Sequence, residues 1–188
     1  AKRDLDELTF NQEYRASFVS FEGRAYYPFD EAIHCSSGLK YDPTDDLIFC
    51  FDFNVSPGVA VVCQEHDGLT MVIGEVHIPL NSNTPAVGTA KIHGSDWDLI
   101  KNVLRPVFGS RLRTRVDKAN PRERVRVNAM NSRLMSADGT VRLLIDQTRA
   151  PNLVKDFEGV RLLSGGAGEI DKKIDPKLTH MTDAIGYY

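Results

Sequence analysis

Four side chains carry the most chemical information in this sequence. Asp52 interrupts the apolar run Ile48-Phe49-Cys50-Phe51-Asp52-Phe53 just before Asn54-Val55-Ser56-Pro57. An ionised carboxylate there is costly unless it is hydrogen-bonded, paired or bound to a metal. It can cap the turn, pair with an arginine or ligate a cation, and the residues alone leave all three open. Glu75 repeats the situation inside Val72-Ile73-Gly74-Glu75-Val76, as a catalytic acid or a solvated sheet residue. Asp183 is flanked by small and apolar residues, with Ala184, Ile185 and Tyr187 in a segment that must pack, so solubility alone does not explain its charge. His180 precedes it by three residues, which places both on one helical face, as a site residue or as a hydrogen-bonded histidine of core or surface. Converging acids of this kind suit hard cations. Mg²⁺ or Mn²⁺ prefers oxygen ligands, and two such ions about 4 Å apart can activate a water and stabilise the leaving oxygen of a phosphodiester.

The elements that must position these residues follow from the apolar pattern. Residues 47–53, 58–64 and 69–79 are β-type runs separated by NVSPG and EHDG, which predicts an antiparallel meander. SDWDLIKNVLRPVFG (95–109) predicts a helix with Ser95 as N-cap, ended or kinked by Pro106. RLRTRV (111–116) alternates like a strand, and 120–139 reads as a helix opened by Asn120 and Pro121 and closed by a turn at Gly139. A short strand (140–146), a helix from about Ala150 to Glu158, a Gly-rich segment and a final helix complete the chain. Strands first, then alternating helix and strand, predict an α/β fold with a mixed sheet and helices on both faces. Residues 1–46, rich in aromatics but without a sustained period, read as a connecting arm ahead of a domain spanning 47–188.

Composition narrows the class. With 188 residues the chain is long enough for one domain and a short extension. No apolar run approaches the roughly 18 residues of a membrane span, and AKRDLDELTF lacks a secretory core, so a soluble intracellular protein without a membrane partner is expected. Three cysteines without CxxC spacing predict reduced thiols rather than a disulfide framework or zinc site. Charge is uneven: residues 1–84 hold 5 basic against 14 acidic side chains, and residues 85–150 hold 13 against 6. That division suits an acidic centre beside a cationic surface for a polyanion. Within the basic stretch, Arg122, Arg126 and Arg133 fall within about 40° of one another at 100° per residue, forming a candidate ridge for phosphate contact. Gly165, Gly166 and Gly168 followed by Lys172 and Lys173 predict a flexible hairpin able to seat a nucleic acid.

The ordered set FNQEYRASFVSFEGRAYYPFD, FDFNVSPGVAVV, GEVHIP, HGSDWDLIKNVL, NPRERVRVNAMNSRLMSADGTVRLLID, GEIDKK and LTHMTDAIGYY resembles the C-terminal nuclease domain of the large terminase subunit of tailed bacteriophages. The resemblance covers nearly the whole chain. It implies a ribonuclease H-like fold that cuts double-stranded DNA during genome packaging with two divalent ions, Mg²⁺ or Mn²⁺. Asp52 and Asp183 would be metal-ligating catalytic acids, and Glu75 matches an acidic position on the third strand. Arg122, Arg126, Arg133, Lys172, Lys173 and His180 would face DNA. The implied partners are an N-terminal ATPase domain joined through the arm, the terminase small subunit and the portal protein, in the host cell cytoplasm. No GxxxxGK[ST] loop is present, so this chain is not the motor.

The sequence departs from the family's pattern at one place. Such terminases usually carry a further catalytic Asp between the third strand and the Ser-Asp-Trp helix, and HIPLNSNTPAVGTAKIHG contains none. Either Glu75 stands in for it, or a segment is missing near Val87–Thr89. Other enzyme readings are a resolvase or transposase core; a reading from another class is a non-catalytic DNA- or portal-docking module.

Overall fold

The computed structural model describes residues 2–15, 23–53, 58–78, 96–116, 119–164, 168–175 and 178–188. In chain order the elements are α1 (Glu7–Arg15), α2 (Glu31–His34), β1 (Cys35–Ser36), β2 (Ile48–Asp52), β3 (Gly58–His66), β4 (Leu69–Ile78), α3 (Asp96–Phe108), α4 (Glu123–Leu134), β5 (Leu143–Asp146), α5 (Pro151–Gly159) and α6 (His180–Ile185). The expected meander is present as β2-β3-β4, all antiparallel. Its tight β3–β4 connection is Asp67-Gly68, both at positive φ (49° and 80°), the geometry of a two-residue hairpin turn whose twist matches its strands.

The sheet order is β1-β5-β4-β3-β2, with β5 parallel to β4 and β1 parallel to β5. The expected α/β class, a mixed sheet with helices on both faces, is therefore what the chain adopts. Four strands, β1, β2, β4 and β5, run in the same direction, so Asp52, His77 and Asp146 all lie toward one end of the sheet. In α/β sheets the carboxyl ends of the strands are where ligands gather.

Alternation along β2 decides what covers each face. Phe49 and Phe51, continued by Phe53, meet α3: Trp97 lies edge-on to Phe51 and Phe53 at 5.9 and 5.0 Å, and Phe108 lies 6.3 Å from Phe49. Cys50 and Asp52 point the other way, where α6 lies against β2 and β3 and beside α5. The core on that side includes Val59, Val61, Leu153, Phe157, Met181, Ala184 and Ile185, all buried.

Several local expectations are corrected. α3 continues through Pro106 to Phe108, because the helix is held by its aromatic contacts with β2 beyond the hydrogen bond that proline cannot make. Residues 112–116 form no strand: the alternation of 111–116 has no buried face, and Val116 is exposed. α4 ends at Leu134 rather than Gly139, since Met135 is extended and Ser136 bonds the Asp138 carboxylate and the Thr140 carbonyl in a separate turn. The segment 1–46, read as a connecting arm, packs aromatics onto the sheet domain. Tyr26 and Phe29 pack on Phe157 with ring centroids 5.0 and 5.2 Å apart, and β1 pairs with β5. Among the described residues no disulfide forms, and no helix is long and apolar enough to cross a membrane. The Ser95 cap, the 54–57 turn, the Val87–Thr89 region, and Gly165 and Gly166 lie outside the described residues.

Candidate active site

α6 brings two of the sequence-predicted residues to the strand ends. The Nδ1 of His180 stands 3.7 Å from Oδ2 of Asp52, too long for a hydrogen bond and close enough for attraction between imidazolium and carboxylate. Asp183 follows one turn later. Its Oδ1 accepts from Nη1 of Arg126 at 2.9 Å, and its Oδ2 lies 3.4 Å from Nζ of Lys172. Arg126 comes from α4, donates also to the Asp183 carbonyl at 3.3 Å, and lays its guanidinium 4.6 Å over the Tyr187 ring. Lys172 also bridges to Glu123 at 3.1 Å. Its partial burial opposes the charged form, but Asp183 and Glu123 outweigh this and hold its ammonium above the usual lysine range.

Glu75 is placed differently from Asp52 and Asp183. Its Oε1 accepts from the side chain of Asn152, both carboxylate oxygens lie 3.2 Å from the Asn152 backbone N–H, and Oε2 accepts from the Leu153 N–H at 3.0 Å. The carboxylate thus satisfies backbone donors in the first turn of α5, with His77 3.6 Å away. Glu75 and Asp52 do share a sheet face, since the register rows are Cys50–Val61–Glu75 and Asp52–Val59–His77. They are two strands apart, about 10 Å across the ladder before the register offset is added.

The basic residues divide into two groups. Arg126 and Arg133 face the domain: Arg133 donates to Thr70 Oγ1 at 2.7 Å and lies 4.6 Å over the Tyr188 ring. Their shared helical face is therefore directed onto α6 and β4. Arg122 is exposed just before the first residue of α4, and Lys173 is exposed beside the partly paired Lys172.

Asp52 and Asp183 are carboxylates of low exposure, and a Mg²⁺-type ion is commonly held by one or two carboxylates, with water and substrate phosphate completing its shell. A second ion needs a further carboxylate in reach. Among the described residues no group of three His, Cys, Asp or Glu side chains is arranged to hold a metal, and Glu75 is engaged by α5.

Two further acids escape a reading by sequence position. Asp146, buried at the end of β5, accepts from the Thr148 hydroxyl and backbone and from the Gly38 N–H. Burial raises its pKa, these donors outweigh it, and the carboxyl sits below its usual value. Asp156 is buried in α5 and faces the start of α6. The signal was the one that drew attention to Asp52, an acid inside an apolar pattern, here Leu153-Val154-Lys155-Asp156-Phe157.

No family model and no curated protein matches this sequence. Solved structures do. The large terminase of the thermophilic bacteriophage D6E, in complex with ADP, superposes with a TM-score of 0.69 at 13% identity, over 99% of this chain and 49% of that one. Its complex with ATP-gamma-S gives 0.66 at 14% identity, over 95% and 48%. The nuclease domain of the large terminase from bacteriophage SPP1, with bound Mn, aligns over 90% of this chain and 97% of its own, at 16% identity and a TM-score of 0.49. The chain spans about half the length of the D6E terminases it matches. This protein thus shares the fold of about half of the large terminase of bacteriophage D6E.

Proposed function

We propose that this chain is a divalent-metal-dependent DNA endonuclease domain of the phage-terminase type, acting at Asp52, His180 and Asp183. The observation that carries this reading is the docking of α6, which sets His180 3.7 Å from Asp52 with Asp183 one turn further on, at the carboxyl ends of the strands. Asp52 and Asp183 would hold the ion, Mg²⁺ or Mn²⁺, which supplies Lewis-acid polarisation of a phosphate and a lowered pKa for an attacking water.

The chain's own residues supply the rest. His180 stands beside the Asp52 carboxylate and orients it. Arg126 fixes the backbone and carboxylate of Asp183, so that this acid presents from a rigid helix. Lys172 sits on the same carboxylate, from where its ammonium would also reach a substrate phosphate. Arg122 and Lys173, exposed near these elements, contact the DNA backbone without reading its sequence. Glu75, on β4, accepts from the first turn of α5 and sets the position of that helix. Within a whole terminase, residues 1–46 would lead from the ATPase domain, with the small subunit and portal protein as partners in the host cytoplasm.

Plasmid DNA incubated with the protein and Mn²⁺ tests the reading. Cutting that EDTA stops and that Asp52→Ala and Asp183→Ala both abolish is the expected result. Undiminished cutting by both variants removes the site assignment, and a native protein that binds DNA but never cuts it marks a docking module instead.

A further inference from the structure

α6 is six residues long, too short to be stable by itself, and it starts without a cap of its own. The residue at its N-cap, Thr179, makes no side-chain capping bond and is held at φ 91°, a left-handed conformation that is strained for a β-branched residue. The free N–H groups of the first turn are nevertheless met. Oδ2 of Asp156, from the middle of α5, accepts from the backbone N–H of Met181 at 2.9 Å and of Thr182 at 3.2 Å. Asp156 is only 4% exposed, and the Met181 and Thr182 it meets are buried as well. Burial raises the pKa of this carboxyl, while the backbone N–H groups of Thr182, Met181 and Thr179 lower it.

We propose that Asp156 is a positioning residue of the active site: its carboxylate replaces the missing cap of α6 and thereby fixes His180 opposite Asp52. The proposal rests on the reading of Asp52, His180 and Asp183 as the active site. The mechanical logic is simple. A helix start pinned from a neighbouring helix has a fixed height above the sheet, and the two residues that flank the pinned N–H groups are those at the site. Packing of Met181, Ala184 and Ile185 holds the apolar side of α6, and the Asp156 carboxylate holds the backbone N–H groups of its first turn.

Amide exchange and side-chain NMR on the native protein, Asp156→Asn and Asp156→Leu test this. Asn keeps an acceptor of the same reach; Leu keeps volume and removes it. In the native protein the Met181 and Thr182 amides should be protected although the first turn of a helix offers them no intrahelical acceptor. In Asp156→Leu their exchange should speed by about 10- to 100-fold, the His180 imidazole resonance at fixed pH should move toward that of an unstructured histidine, and Val59 and Val61 amides should stay protected. Asp156→Asn should restore both signals. Unprotected native Met181 and Thr182 amides, an unmoved His180 resonance in Asp156→Leu, or a uniform rise in exchange across the sheet would overturn the proposal. None of these readouts requires cutting, so a domain that never cleaves DNA refutes the nuclease reading without touching this one.

Discussion

Arg126 of α4 and Asp183 of α6 form an ion pair at 2.9 Å with both side chains largely out of solvent, 11% and 14% exposed. The pair joins a helix rich in arginine to the helix that carries the site. It engages a residue that sequence position would assign to DNA with the carboxylate of Asp183.

Removing that arginine leaves a buried carboxylate with one partly exposed lysine. Arg126→Ala should therefore destabilise the domain by about 3 kcal/mol, with Arg126→Lys recovering only part, because lysine lacks the flat guanidinium that lies over the Tyr187 ring while bonding Asp183. Urea midpoints of the two variants measure this.

DNA affinity should respond to a different set of residues. Arg122→Ala and Lys173→Ala should each reduce the slope of log affinity against log salt by about 1, with little change in stability. Arg133→Ala should do the opposite, lowering the unfolding midpoint through loss of its Thr70 and Tyr188 contacts. Filter binding across a salt series, beside thermal melts, separates the two groups.

Glu75→Ala should cost about 1–2 kcal/mol by exposing the first turn of α5. Cleavage should fall less than in Asp52→Ala, and Glu75→Gln should retain most stability. Equal and complete loss of cutting in Glu75→Gln and Asp52→Ala, with unchanged melting of Glu75→Gln, would instead place Glu75 at the chemistry.

Burial, reinforced by the nearby Asp183 charge and opposed by the α6 backbone N–H groups, pushes the Asp156 carboxyl from 3.8 up to about 7. The folded state thus binds the proton more tightly than the unfolded chain. Its stabilising contribution is complete below about pH 4 and is lost as pH rises through 7, a loss of at most about 4 kcal/mol. Native stability should fall over this window, and Asp156→Asn should flatten that part of the profile in urea titrations at pH 4, 5.5 and 7.5.

The apolar pattern already defined the meander, because alternating runs bounded by Asn-Val-Ser-Pro-Gly and Asp-Gly leave few other arrangements. It also marked Asp52 and Asp183 as acids in the wrong surroundings, and spacing alone put His180 and Asp183 on one face. Partners were a different matter. Sequence could not say that Asp183 meets Arg126, 57 residues away, that Glu75 is drawn to the start of α5, or that a two-residue strand at Cys35–Ser36 closes the sheet beside β5. Local periodicity reports which side of an element is buried, because burial repeats with the backbone. Which charge neutralises which is settled only when distant elements pack, and that packing set Arg126 against Asp183, Arg133 against Thr70 and Tyr188, and Asp156 at the start of α6.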